Sequence, residues 1–275
     1  MKKKLKIKWF NLIISFIFII AIISVVISSY NIIKWFIDKN EIESINNEIN
    51  DSTKVSDVDD SNKTEIVNQD KSLDKSNPYW DYIKMKLINV DFSMLKSQNA
   101  DTKGWIRVEG TNINYPFVQA SNNSYYLDHS FYKKYNKAGW VFLDYRNKMD
   151  GTDKNTILYA HGRLDKTMFG SLKNILKSNW YKNKNNYIIK MSTEYENTLW
   201  QVFSVYHIPV TNDYIQTDFK NDNSYVNLLK KLKKRSAYNF DVSLNSKDKI
   251  ITLSTCYDND ERVVMHAKLI KKEKR

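Results

Sequence analysis

Cysteine, proline and glycine are all scarce in this chain of 275 residues, which has one cysteine, three prolines and six glycines. A single cysteine excludes any disulfide within the chain and any zinc cluster built on several thiolates. So few prolines and glycines exclude collagen-like and proline-rich low-complexity classes. The glycines all fall between positions 104 and 170, and none forms a G-x-G-x-x-G or Walker pattern. A glycine-cradled nucleotide phosphate is therefore not expected. H-E-x-x-H and C-x-x-C are also missing, so the sequence calls for no metal and no organic cofactor. What is present suits a folded protein: 42% apolar and 27% charged residues, enough apolar side chain to bury a core.

The net charge of +12 is unevenly spread. Residues 1–37 carry six lysines and no acid, whereas 38–77 carry eleven acids against five lysines. Three regimes of charge predict three segments. Residues 9–33 contain no charged side chain and are dominated by Ile, Phe, Val and Leu. As a helix they reach ~37 Å, enough to cross a ~30 Å hydrocarbon core. The run is too long for the ~7–15 apolar residues of a cleaved signal peptide. Lys2, Lys3, Lys4, Lys6 and Lys8 precede it and only Lys34 follows closely. This predicts a cytoplasmic tail and signal anchor over 1–37, with everything after it outside the cell. Residues 38–77 are polar with isolated Ile and Val, and read as an acidic flexible linker, the first part of which, 40–50, could extend the membrane helix a little. An extracellular domain over 78–275 follows, which makes nucleic acid an unexpected partner despite the basic pI of 9.4.

Residues 80–97 space their apolar side chains as one or two short amphipathic helices. Beyond Gly104 the pattern turns to short β-type runs between polar turns. Strands are predicted near 105–108, 114–118, 139–143, 156–161, 187–191, 199–210, 249–255 and 263–271, and helices over 168–176 and 224–235. Eight short strands and few helices favour a closed or nearly closed barrel over a doubly wound sheet.

Cys256 ends a β-branched, apolar run and is followed by the polar Tyr257-Asp258-Asn259-Asp260-Glu261. The thiol is thus expected where a strand meets a loop. A lone cysteine can be an inert buried side chain; outside the cell and at a strand end it is also a candidate nucleophile. Such a thiol needs a cation or imidazole beside it, being only a few per cent ionised near neutrality. Of the four histidines, His129 reads as a loop residue, and His207 and His266 as half-buried structural residues within strands. His161 ends a strand and is followed by Gly162, which allows either a turn residue or a partner for the thiol. Arg262 opens the strand after Cys256. It is either a solvated edge charge beside Asp260 and Glu261 or a fixed cation for the oxyanion formed when a thiolate attacks an amide.

At these positions the chain resembles the sortases, most closely class B. The resemblance lies in Thr252-Leu253-Ser254-Thr255-Cys256 with Arg262-Val263-Val264-Met265-His266-Ala267-Lys268-Leu269, and in Tyr159-Ala160-His161-Gly162 followed by Met168-Phe169-Gly170-Ser171-Leu172. A third block runs from Gly104-Trp105-Ile106 through Gly110 to Gln119, and on to Phe142-Leu143-Asp144. Together they cover about 80–275. The resemblance implies a mainly β fold: an eight-stranded barrel, N-terminal amphipathic helices, a helix between the sixth and seventh strands, and a single membrane helix ahead of them. It implies a membrane-anchored cysteine transpeptidase with Cys256, His161 and Arg262 as its catalytic residues. Asp258 matches a class B acid and is a candidate orienting group. Ser254, Thr255 and Tyr257 are expected to line the substrate groove by adjacency. The implied partners are secreted proteins with a C-terminal sorting motif of Pro-x-Thr type, cut after Thr, and an amine of a lipid-linked cell-wall precursor. Two rivals stay open on the residues alone. One is a secreted cysteine peptidase using water. The other is a non-catalytic module whose basic surface binds the anionic envelope.

Overall fold

The computed structural model describes residues 9–58, 63–256 and 261–275, with the backbone alone at 256. The chain divides after Glu41 into two compact units. In the first lies most of a long helix, α1 (Trp9–Ser52). Its apolar side chains, Trp9, Phe16, Phe18 and Val25 among them, are largely exposed. A helix apolar on every side has no polar face to turn to water, and this one is long and apolar enough to cross a membrane.

The second unit, 42–275, begins within α1 and adds β1 (Val55–Val58), β2 (Thr64–Ile66), α2 (Tyr79–Tyr82), β3 (Leu87–Val90) and α3 (Ser93–Gln98). The main strands follow: β4 (Thr102–Val108), β5 (Asn114–Val118), β6 (Phe142–Leu143) and β7 (Asn155–Ala160). After α4 (Ser178–Lys182) come β8 (Ile188–Thr193), β9 (Glu196–Pro209), α5 (Asp222–Arg235), β10 (Ile250–Cys256) and β11 (Glu261–Lys274). The strands pair in the order β10-β7-β6-β5-β4-β8-β9-β11, and β11 pairs back onto β10. This closes an eight-stranded barrel, with β2 added along β11. Closure leaves no free edge among the eight, and alternate side chains fill the interior. Trp105, Phe117, Phe203 and Leu253 are buried there or in the layers against it.

All eight strands coincide with stretches expected from sequence, and α5 stands between the sixth and seventh of them. An Asn221–Ser224 capping box starts α5, and Tyr225, Leu228, Leu229 and Leu232 form its buried face. The stretch 168–176, expected as a helix, is a 3₁₀ helix over Gly170–Leu176.

Two expectations need correction. The acidic stretch 38–77, read as a flexible linker, is largely built into the second unit. Ile42, Ile45 and Ile49 are buried, β1 pairs with β3, and β2 pairs with β11. Average composition hid a one-sided stripe at i, i+3 and i+7, which is all a docked helix needs. The segment 80–97, read as helical, contains β3 between two short helices. Leu87, Ile88 and Val90 are buried on both faces, so their run lacks the alternation that marks a half-exposed strand.

Candidate active site

Three neighbouring strands bring the predicted residues to one end of the barrel. In the antiparallel β10–β11 ladder, Cys256 pairs directly with Arg262. In the parallel β10–β7 ladder, Thr255 pairs with Ala160, so His161, one residue on, leaves β7 at the level of Cys256. On its other side Arg262 pairs with Ile208 of β9. Cys256, His161 and Arg262 are far apart in sequence, yet all three stand where β7, β10 and β11 reach the same rim.

A cleft of ≈ 270 Å³ opens there. His161, Arg262, Ser254 and Thr255 line it together with Tyr159 and Ala160 of β7. Asn123 and Leu127 face it from the β5–β6 connection, and Val210, Thr211, Asn212, Tyr214 and Ile215 from the β9–α5 connection. The two expected lining residues that are described, Ser254 and Thr255, are therefore in the wall. Tyr257 and Asp258 lie outside the described residues.

His161 is positioned by its neighbours. Its Nε2 lies 2.7 Å from the carbonyl oxygen of Leu127. A carbonyl only accepts, so Nε2 carries the hydrogen and Nδ1 is the nitrogen left to exchange a proton. The backbone of His161 is held as well, Phe169 N–H donating to its carbonyl at 3.0 Å. The loop between them is stitched by a buried ion pair, Arg163 Nη2 to Asp165 Oδ2 at 2.8 Å. Gly170 lets it close this tightly, since a Cβ there would sit 2.1 Å from the Arg163 carbonyl oxygen. On the Leu127 side, Gly139 adopts φ +61, and a Cβ would lie 2.4 Å from the Tyr126 carbonyl oxygen. Arg262 donates from Nη1 to the carbonyl of Glu261 at 3.0 Å, leaving further guanidinium donors for a ligand in the cleft.

Sequence reasoning missed the hub beneath this cleft. Asp144, fully buried, accepts from Arg146 Nε at 2.8 Å and Nη2 at 2.7 Å. It also accepts from the Tyr159 hydroxyl at 2.9 Å and the Asn123 amide at 3.0 Å. Burial works to raise its pKa, but the hydrogen bonds from Arg146 and Tyr159 outweigh it and hold the carboxyl below its ordinary value. Arg146 also donates to Ile215 O at 2.9 Å. One carboxylate thus ties together three parts of the wall. Asp144 and Arg146 follow a strand end in sequence, where site residues concentrate, and that was the signal available.

The other histidines separate by environment. His129 stacks on Tyr125, centroids 4.1 Å apart, with Nδ1 near Tyr125 O and Asp128 Oδ1. His207, expected to be half-buried, is exposed on β9, and His266 is fully buried. Burial, and the nearby charge of Arg235, push the His266 pKa down to about 3, so the ring is neutral. Among the described residues no group of His, Cys, Asp and Glu could hold a metal ion.

A closed eight-stranded barrel with a single cysteine at the end of a strand is the architecture of a sortase-type cysteine transpeptidase. Residues 106–270 match the sortase domain family, and the chain belongs to that family. The relatives and solved structures it resembles include sortases of the B type. Sortase B of Staphylococcus aureus is 39% identical over 188 residues, 67% of this chain and 76% of that protein. The structure of sortase B from Bacillus anthracis in complex with AAEK1 superposes with a TM-score of 0.67 at 33% identity, covering 86% of this chain and 99% of that one. A Staphylococcus aureus sortase B–substrate complex gives a TM-score of 0.61 at 40% identity, covering 66% of this chain and 84% of that one.

Proposed function

We propose that this sortase cuts a C-terminal sorting motif of Pro-x-Thr type after its threonine, and joins the new carboxyl group to an amine of a lipid-linked cell-wall precursor. The observation that supports this most is the convergence of Cys256, His161 and Arg262 at one rim, beside a cleft lined by His161, Arg262, Ser254 and Thr255. In this reading the Cys256 thiolate attacks the threonine carbonyl carbon, and Arg262 donates hydrogen bonds to the oxyanion. His161, as imidazolium, protonates the departing amine through Nδ1. The C–N bond breaks and a thioester to Cys256 remains. The incoming amine gives a proton back to His161, attacks the thioester, and releases the thiolate. One difficult amide exchange becomes two easier steps.

Residues 9–33 serve as the anchor, with the preceding lysines in the cytoplasm and the barrel outside. Protease added to intact protoplasts is expected to remove the barrel and spare the N-terminus; full protection of the barrel would reverse the orientation.

The test of function is a Pro-x-Thr peptide incubated with the enzyme and an oligoglycine amine, with products read by mass. Peptide joined to the amine is expected, with none from Cys256→Ala. Cleavage to the free acid alone, at saturating amine, would make the protein a peptidase. Survival of all function after thiol alkylation would make it a binding module.

A further inference from the structure

The cleft wall formed by the β9–α5 connection has almost no regular structure of its own. Its internal hydrogen bonds are long, as in Ile215 N–H to Asn212 O at 3.4 Å. Arg146 holds it at Ile215 O, and Arg235 forks onto Asp213 at 2.8 and 2.6 Å; a further tie comes from inside the barrel. Directly beneath, four buried polar side chains form a line: Tyr206, His266, Thr252 and Asn155 are all 3% exposed or less. The Tyr206 hydroxyl lies 2.8 Å from His266 Nε2, and His266 Nδ1 lies 2.8 Å from Thr252 Oγ1. Thr252 Oγ1 donates to Asn155 Oδ1 at 2.7 Å. Asn155 Nδ2 donates to the carbonyls of Gln216 at 3.0 Å and Tyr214 at 3.4 Å.

The direction of this chain is determined by counting protons. Thr252 has one hydroxyl hydrogen, given to Asn155, so it must accept from His266 Nδ1–H. The neutral ring then carries no hydrogen on Nε2, which accepts from Tyr206. With Oδ1 engaged by Thr252, the Asn155 amide can only turn its NH₂ toward the wall. Flipped, it would set its oxygen against the carbonyl oxygens of Gln216 and Tyr214. The ring orientation is itself bounded by Phe203, 5.8 Å away and stacked, and by Tyr214 edge-on at 6.4 Å. Tyr214 closes the arrangement, its hydroxyl lying 2.9 Å from Ser254 Oγ on the strand that ends at Cys256.

We propose that His266, Thr252 and Asn155 are positioning residues for the substrate cleft, a one-way hydrogen-bond relay that sets the 210–216 wall against the strand bearing the nucleophile. The role rests on the sorting-peptide reading for its kinetic consequence, but not for its structural one. Because the relay touches the wall and not the reacting atoms, its loss should weaken peptide binding more than chemistry.

Thr252→Val keeps the shape and removes the hydroxyl; Thr252→Ser restores it. In Thr252→Val the KM for a Pro-x-Thr peptide is expected to rise about tenfold, as suits a buried donor and acceptor left unpaired. The kcat should change less than about threefold, and Ser should recover most of the KM. Hydrogen exchange of the 210–216 amides, measured without substrate, should speed up in Val and return in Ser. Should Thr252→Val fold poorly, Thr252→Ala, which removes the same hydroxyl without setting a methyl against Asn155 Oδ1, is expected to move the same two readouts in the same direction. Unchanged KM with unchanged exchange at 210–216 would overturn the relay. A fall in kcat with no change in KM would also overturn it. If the wild-type enzyme does not turn over the peptide, the functional reading has failed, and the exchange measurement alone still decides the relay.

Discussion

Cys256 and Arg262 are cross-strand partners, four residues of connection joining β10 to β11 so that the guanidinium-bearing position faces the thiol-bearing one. A β ladder sets paired Cα atoms about 4.5–5.5 Å apart, so the separation of these two residues is a property of the barrel and not of loop geometry. That rigidity is what a preorganised oxyanion donor requires, since a donor that must first move into place contributes less.

If Arg262 acts through directed hydrogen bonds, lysine should not replace it. A guanidinium presents a planar fork of donors, an ammonium a hydrated point charge. Arg262→Lys is expected to lose about 10²–10³ in kcat, as for removal of one oxyanion donor, with Cys256 still alkylated. Steady-state kinetics on a sorting peptide measure this, and near wild-type turnover by the lysine variant would leave Arg262 as a simple charge.

His161→Ala should cost about 10²–10⁴ in turnover, the range for a lost acid–base group. His207, exposed on β9, provides the control, and His207→Ala is expected to keep most activity. Equal losses in the two would mean that stability had been mistaken for chemistry. Circular dichroism on both variants separates the cases.

The neutral, buried His266 predicts acid sensitivity of folding. In the unfolded chain its imidazole takes up a proton as pH falls through about 6.5, whereas in the folded protein uptake waits until about 3. Between those values the unfolded state binds more protons, so stability is full above 6.5 and declines as pH falls. The decline is about 1.4 kcal/mol per unit, or roughly 2 kcal/mol from pH 6.5 to 5. Urea midpoints at pH 7 and 5 should show the loss in wild type and much less of it in His266→Gln, whose side chain cannot charge. A pH-independent midpoint in wild type over that range would contradict the assignment.

Asp144 should matter to both stability and substrate binding. Asp144→Asn removes the charge that Arg146 faces and at least one acceptor for Tyr159 or Asn123. Charge-assisted hydrogen bonds are worth ~1.5–3 kcal/mol, so a fall in Tm of about 3–12 °C is expected by calorimetry for a domain of this size. The sign with pH is the same as for His266 but lower in range. A carboxyl held below its ordinary 3.8 contributes its full stability above that value and loses it as pH falls from there through the lower folded-state value. An unchanged Tm at pH 7 would show the hub to be energetically idle.

Much of this protein is legible from local pattern. Residues 9–33 carry no charged side chain, and a helix long and apolar enough to cross a membrane requires nothing else. The eight barrel strands are β-branched runs between polar turns, and α5 shows its apolar face at i, i+3, i+4 and i+7 in Tyr225, Leu228, Leu229 and Leu232. Cys256, His161 and Arg262 could be singled out because each stands where such a run ends. Local pattern was insufficient at 42–49, where three isoleucines among acids form a stripe only once a partner surface exists, and at Leu87–Val90, buried on both faces.

What tertiary structure alone decided is the company each residue keeps. His161 and His266 are the same side chain on strands of similar composition. One ends its strand, at the rim, with Nε2 on the carbonyl of Leu127; the other points inward between Tyr206 and Thr252, where water cannot follow. Asp144 and Asn123, twenty-one residues apart, and Asn155 and Gln216, sixty-one apart, meet only because the closed barrel makes neighbours of segments distant in sequence. Sequence carries period and propensity, which act over a few residues. Burial and hydrogen-bond partnership depend on which strands become neighbours, and that is a property of the closed sheet.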